Sequence, residues 1–368
     1  MTVNWLQVLL LCFPIRIAFD LVMVLPVSAA PSPNRDVWLV PLLVIPVAWL
    51  VGAIVIKLGS IFPDKTIIQY SRTLLGPVFG SILALLYAWW FIFFAALGVR
   101  ISSDFFLNSV MIFTPVSVLM GLTLLTSVIA ARRGLTTIAL VNQVLGPVML
   151  GLIWMLIFLS LNRLRPSNLS PFMAGGLGNL LTNAVTPMAV CSDIVNLAMV
   201  IPFMDNPAHA SRVVKWGVPL GALHLMALVL VVISSLGIDN AALATYPGLS
   251  VARRIAFGEF VQRVEPALLT VWLGGVFVQV TLNLMWASQA MAQGFNLRCY
   301  KPLVLPLSVL VGLVALLLGE NTLEYTALFD PTFFGPYGFT FSLVIPSLLL
   351  LVARIKRPAI KSPPETQT

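Results

Sequence analysis

Residues Thr182–Phe203 read TNAVTPMAVCSDIVNLAMVIPF, an apolar stretch of membrane-spanning length that carries Pro187 and, near its middle, the carboxylate of Asp193. A helix crosses a bilayer with about 20 apolar residues, and a charge at the bilayer centre costs roughly 2.5–3.5 kcal/mol on insertion scales. An acid in such a stretch therefore faces protein or a water-filled cavity. Proline removes a backbone N–H and crowds the preceding turn, and backbone groups freed at membrane depth are tolerated only inside protein or along a cavity. The first apolar stretch, Trp5–Pro26, is built alike. Pro14, Arg16 and Asp20 interrupt it, and it closes on Met23-Val24-Leu25-Pro26 as the later one closes on Met199-Val200-Ile201-Pro202. Two interrupted spans in corresponding halves point to a transporter-type site between them.

Composition agrees. Hydrophobic residues make up 59% of the chain and charged residues 9%, against about 25% charged in a soluble globule, so the sequence describes an integral membrane protein. The net charge of +8 is spread in ones and twos between apolar spans, unlike the clustered basic face of a nucleic-acid-binding module. Cys12, Cys191 and Cys299 lack metal-ligand or disulfide spacing and read as small core residues, so neither a metal nor a cofactor is expected. The apolar run before Val27-Ser28-Ala29-Ala30 has no preceding Lys or Arg and is interrupted by charge, so it reads as a retained first span rather than a cleaved leader.

On the 20-residue rule there are about ten candidate spans. Trp5–Pro26, Val37–Leu58, Leu74–Val99, Pro115–Ala131 and Thr137–Leu161 form a first half. Leu180–Phe203, Val213–Gly237, Pro266–Met291, Pro302–Gly319 and Tyr337–Ala353 form a second. Five spans per half force the second repeat to be inverted, so the expected architecture is all-α and polytopic over 1–355, with repeats at 1–161 and 180–353 and broken first and sixth helices. Ala241–Val264, with Val251, Ile255 and Phe260 set against Arg253, Arg254, Glu259 and Arg263, reads as a helix on the membrane surface. Lys and Arg concentrate in cytoplasmic loops. Lys57, Lys65, Arg72, Arg132, Arg133, Arg212, Lys215, Arg298, Lys301 and the basic residues from Arg354 fall on one face, while Arg35, Arg100, Arg163, Arg165, Arg253, Arg254 and Arg263 fall on the other with Asp36 and Asp104. Both termini are thus expected to be cytoplasmic, with a disordered basic, Pro-rich tail at 356–368.

Several motifs resemble one family. Asp36-Val37-Trp38 resembles its Asp-x-Trp opening of the second span, Phe62-Pro63 with Gln69-Tyr70 and Leu75-Gly76 its approach to the third, and Thr114-Pro115 with Arg132-Arg133-Gly134-Leu135 its fourth. The most specific block is Tyr246-Pro247 through Arg253, Gly258-Glu259-Phe260, Arg263, Glu265 and Trp272. By these the chain resembles the membrane-embedded B subunit of bacterial spore germinant receptors (the GerAB type), within the amino acid/polyamine/organocation transporter superfamily. The resemblance implies a LeuT-like fold and recognition of a small nutrient germinant such as an amino acid. It also implies residence in the inner spore membrane beside an A subunit and a lipoprotein C subunit. The chain departs from the family's Gly-rich breaks, carrying Ile17-Ala18-Phe19-Asp20-Leu21 in the first and Cys191-Ser192-Asp193 in the sixth.

The candidate ligand-binding set is Phe19, Asp20, Tyr87, Cys191, Ser192, Asp193 and Asn283. Asp20 and Asp193 could hold a ligand amine, a cation or a proton, or could pair internally with Arg16, which stands one helical turn before Asp20. Tyr87, Trp89 and Trp90 could wall a pocket, since aromatic faces hold cations, although packing is the plainer reading for the two tryptophans. Gln279 with Asn283, and Gln289 with Gln293, share helix faces and suit either cavity lining or interhelical hydrogen bonds. His224 reads as a core residue rather than a proton relay, and Asn142-Gln143 as interhelical polar contacts. No GxxxxGK, HExxH or GxSxG pattern is present, so an enzyme is not expected. A proton- or cation-coupled amino acid or amine transporter is the alternative to a receptor.

Overall fold

The computed structural model describes residues 2–12, 35–173, 175–255, 264–319 and 322–361, without the side chains at 191–192, 322–323 and 357–361. Pro14, Arg16, Phe19, Asp20, Phe260 and Arg263 lie outside the described residues. Eight helical segments among the described residues are long and apolar enough to cross a membrane, and Lys301–Leu317 is a shorter apolar helix. The expected first span enters the described region as helix at 5–12. The chain is an all-helical, multi-pass membrane protein. Its principal helices are α1 (5–12), α2 (Val40–Ile61), α3 (Ile67–Ser109), α4 (Val116–Arg133), α5 (Leu135–Ser160), α6 (Gly176–Cys191), α7 (Ala210–Leu236), α8 (Glu265–Gly294), α9 (Lys301–Leu317), α10 (Pro331–Phe339) and α11 (Ile345–Lys361).

Helices α3 and α8 form the centre. In each, 72% of the most apolar window is buried, against 28% in α4 and 33% in α5. The outer helices turn large apolar side chains outward, including Leu122, Leu125 and Ile129 on α4 and Leu305, Val309 and Leu313 on α9. In water that belt would drive association; in lipid it is simply the solvent-matched surface. With little hydrophobic drive between helices in lipid, close approach of small residues carries the packing. A methyl group on Gly294 of α8 would sit 2.4 Å from Cβ of Ala84 on α3. Polar bonds stitch the same end: Arg72 Nη1 donates to Gln293 O (2.6 Å), Ser81 Oγ donates to Gly294 O (2.7 Å), and Thr66 Oγ1 donates to Gln293 Oε1.

Helix α3 is longer than its expected span at both ends. It starts on a capping box, with Gln69 N donating to Thr66 Oγ1 and Thr66 N to Gln69 Oε1. It bends at Gly76, whose φ of 85° and ψ of 176° suit a residue without Cβ and whose neighbour Pro77 disfavours helix at the preceding position. At the far end α3 runs on through Arg100 and Asp104, both expected in a loop. They are buried at 4% exposure each and pair across one turn, Arg100 Nε to Asp104 Oδ2 at 3.2 Å. Mutual neutralisation lets a helix continue where charge suggested it would stop.

The sixth segment is broken, but not at its proline. Pro187 lies inside α6, which continues to Cys191; a 3₁₀ turn Ser192–Asn196, a helix Leu197–Val200 and a second 3₁₀ turn Ile201–Phe203 follow. Its end lies beside the start of the chain: Val3 N donates to Phe203 O at 2.8 Å and Asp205 N to Val3 O at 3.0 Å.

Three further expectations are corrected. Ala241–Val264 is not one surface helix: Ile238–Leu243 and Pro247–Ala252 are separate short helices. Leu249, Val251, Ala252 and Ile255 are buried in protein, so the apolar stripe meets neighbouring helices instead of lipid. Cys299 is exposed rather than in the core. Asp36, expected in an outer loop, is 2% exposed because its Oδ1 accepts from the Met173 backbone N–H at 2.9 Å. Helix α11 continues to Lys361, into the stretch expected as tail, with Lys356 Nζ donating to Leu74 O at 2.7 Å.

Candidate functional site

Helices α10 and α11 are joined by a π turn, Thr340–Val344, in which Ile345 N donates to Thr340 O. Its origin is in the sequence. In this wider register the donor for Phe341 O would come from position 346, which is a proline and has no N–H. The orphaned carbonyl is met from α3, where Tyr87 Oη donates to Phe341 O at 2.8 Å. A buried carbonyl without a partner would be costly, so Tyr87 and Pro346 act together.

Around this turn stands an aromatic cluster. Trp90 stacks on Phe341 with centroids 4.8 Å apart, Tyr337 meets Phe341 at 5.2 Å, and Phe91 links Tyr87 (6.3 Å) to Trp286 (5.7 Å) on α8. The 3₁₀ turn Ser192–Asn196 packs against the π turn and against α2. Helices α6 and α10 approach closely there, since a methyl on Gly338 would lie 2.8 Å from Cβ of Ala189. Two breaks in helical geometry, one in each partner, thus meet at one place. π turns occur disproportionately at functional sites.

The expected site residues distribute as follows. The turn that carries Ser192 and Asp193 meets the π turn that Tyr87 supports; Asp193 is half-buried and Asn196 buried. The Tyr87 hydroxyl is committed to Phe341 O and does not point a free donor into a cavity. Asn283 is buried, and its Nδ2 donates to Gln279 O of its own helix at 3.0 Å. Phe19 and Asp20, expected to roof the site, lie outside the described residues, as does Arg16. Of the neighbouring tryptophans, Trp89 is 45% exposed whereas Trp90 is fully buried. Sequence reading passed over Trp90 as a site residue and missed Phe341 and Tyr337 altogether; Pro346 was the signal that could have flagged the turn.

Polar capacity remains here. Trp90 Nε1, Trp286 Nε1 and Asn196 Oδ1 are buried and have no hydrogen-bond partner among the described residues. Buried polar groups are rarely left so. Two indole donors, an amide acceptor and the Asp193 carboxylate amid aromatic faces suit a small molecule with both acceptor and donor groups. Other polar residues settle more plainly. Gln143 Oε1 accepts from Gln7 Nε2 at 3.1 Å, and Gln293 bridges to Thr66 and Arg72. Asn142, expected to make an interhelical bond, makes none to described residues, and His224 is buried edge-on to Trp154 at 5.8 Å.

The comparisons with known proteins agree with this architecture. Among solved structures, a substrate-bound, outward-open Na+-coupled sialic acid symporter is similar with a TM-score of 0.66 at 12% identity, covering 96% of this chain and 80% of its own. Mhp1, a nucleobase-cation-symport-1 family transporter in a closed, bromovinylhydantoin-bound conformation, is similar with a TM-score of 0.64 at 15% identity, covering 94% and 79%. The fold is therefore LeuT-like. In sequence, the spore germination protein YndE of Bacillus subtilis (strain 168) is 26% identical over 287 residues, 76% of each chain. Spore germination protein KB of the same organism is 22% identical over 317 residues, 85% of each. A family model described as spore germination protein matches residues 2–323, and over that length the chain belongs to the spore germination protein family.

Proposed function

We propose that the chain is the membrane-embedded B-type subunit of a spore germinant receptor. It recognises a small nutrient, such as an amino acid, and works with an A-type subunit and a lipoprotein C-type subunit in the inner spore membrane, with both termini cytoplasmic. The observation that carries this reading is the meeting of the broken sixth segment with the π turn of Thr340–Val344, in a chain of the spore germination protein family. The ligand-contacting set is Asp193, Cys191 and Ser192 on the break, with Phe19 and Asp20 from the first span, while Tyr87 holds the π turn and Asn283 lies on α8. A ligand can shift a conformational equilibrium only by its differential affinity for the two states. A receptor must pass that difference to a partner; a coupled transporter, the alternative reading on the same fold, uses it to move substrate.

Two measurements test the proposal. In spores carrying the partner subunits, Asp193→Asn is expected to abolish or strongly right-shift the germinant response at unchanged protein abundance; a wild-type response would remove Asp193 from the site. Purified chain in liposomes under an imposed proton or sodium gradient is expected to give no concentrative uptake. Robust gradient-driven accumulation of an amino acid or amine would decide for the transporter.

A further inference from the structure

Away from the helix breaks, the face that carries Arg163 has a cavity of about 870 Å³ between the ends of α5 and α7 and the short helices that follow α7. Four guanidinium groups line it, from Arg35, Arg163, Arg165 and Arg254, against the single carboxylate of Asp239. Arg35 donates to Ser170 O. The guanidinium groups of Arg163, Arg165 and Arg254 make no hydrogen bond or ion pair to described residues, Asp239 included, and all three are exposed. A concentration of unpaired arginines against one acid, within a concave site, suits an anion with several oxygen acceptors, and the planar guanidinium fork matches phosphate.

The cavity does not stand alone. Its walls at Ser160, Val251 and Ile255 are shared with an apolar groove that runs along α5 and α7 within the membrane-spanning region, lined by Ile153, Ile157, Leu225, Leu228 and Val232 and by Leu268 of α8. A soluble anion has no use for such a groove. A phospholipid has use for both parts, since its acyl chain matches the groove and its headgroup the arginines. We infer that this paired cavity and groove is a specific site for an anionic phospholipid, with the phosphate held by Arg163, Arg165 and Arg254 and one acyl chain lying between α5 and α7.

The test uses the purified, delipidated full chain and native mass spectrometry. Dioleoyl phosphatidylglycerol is expected to stay bound in preference to dioleoyl phosphatidylcholine, which has the same chains and no net charge. Basic residues near an anionic lipid contribute about fivefold each, so Arg163→Gln with Arg254→Gln is expected to weaken phosphatidylglycerol binding roughly 25-fold while leaving phosphatidylcholine unchanged. Leu228→Trp, which fills the groove, is expected to weaken both, with helicity by circular dichroism confirming that each variant is folded. Equal retention of the two lipids, or insensitivity of phosphatidylglycerol to the arginine substitutions, overturns the site. Displacement of the lipid by glycerol phosphate or inorganic phosphate as completely as by phosphatidylglycerol assigns the arginines to a soluble anion and overturns the lipid. Arginine substitutions that spare lipid binding but abolish co-purification of a co-expressed partner subunit make the cavity a protein-docking surface and overturn it equally.

Discussion

Replacing Tyr87 by Phe isolates the contact on which the π turn depends. The substitution keeps the ring, which packs on Phe91 and Phe341, and deletes only the hydroxyl that donates to Phe341 O at 2.8 Å. Tyr87 is 1% exposed, so no water replaces the lost donor, and leaving a buried acceptor unsatisfied costs about 1–3 kcal/mol. The cost should depend on Pro346, because the proline is what removes the backbone donor from that carbonyl. In a Pro346→Ala background an N–H is restored, and Tyr87→Phe should cost roughly 1 kcal/mol less than in the native chain, a coupling in the range typical of contacting groups. The assay is reversible unfolding of the four proteins of the cycle in mixed micelles, followed by far-UV circular dichroism. Additivity within about 0.5 kcal/mol would refute the argument that hydroxyl and proline share one carbonyl.

Three further outcomes follow from the geometry. Gly76→Ala places a side chain in a backbone region open essentially to glycine alone and should destabilise by about 1–3 kcal/mol, measured by the same unfolding assay; nothing stands within 4 Å of the added methyl, so no clash contributes. Asp104→Ala strips a buried arginine of its ion-pair partner and should cost roughly 3–5 kcal/mol, seen as a lowered unfolding midpoint, whereas an unchanged midpoint would mean the pair is hydrated. Cysteines introduced at Ser167 and Ser362 should react with an impermeant maleimide from opposite sides of sealed vesicles, and labelling from one side would contradict the expected topology.

The membrane character, the span order and the broken sixth segment were legible because they rest on run length and on charge inside apolar runs, which local sequence carries directly. The position of the break was not. Pro187 reads as a breaker, yet a proline is accommodated inside a membrane helix when neighbours satisfy the freed carbonyl, and Thr186, the residue beside it, sends its hydroxyl to Phe329 O at 2.8 Å. Arg100 and Asp104 misled for the opposite reason, since two charges read as a loop when taken singly and as a helix turn when paired. The amphipathic stripe of Val251 and Ile255 signals burial correctly but cannot say whether protein or lipid does the burying. In the site, Asp193 was found by its cost. Trp90, Phe341 and Tyr337 were not, because an aromatic residue in an apolar span carries no such penalty, and only the fold brings them around a carbonyl that Pro346 leaves unmatched.

The stitching between α3 and α8 at Thr66, Arg72, Ser81, Gln293 and Gly294 bears on how the molecule can change shape. Side chains of one helix hold main-chain oxygens of the other, and at Gly294 the two surfaces have no slack for a methyl group. Sliding there would break several contacts at once, so the end of the pair near Gly294 behaves as a fulcrum. Rearrangement then falls to the segments with interrupted ladders, Ser192–Asn196 and Thr340–Val344, where fewer repeating backbone bonds oppose a change of direction. Strain introduced at either interruption is transmitted as rotation about that fulcrum, and its amplitude grows with distance from Gly294.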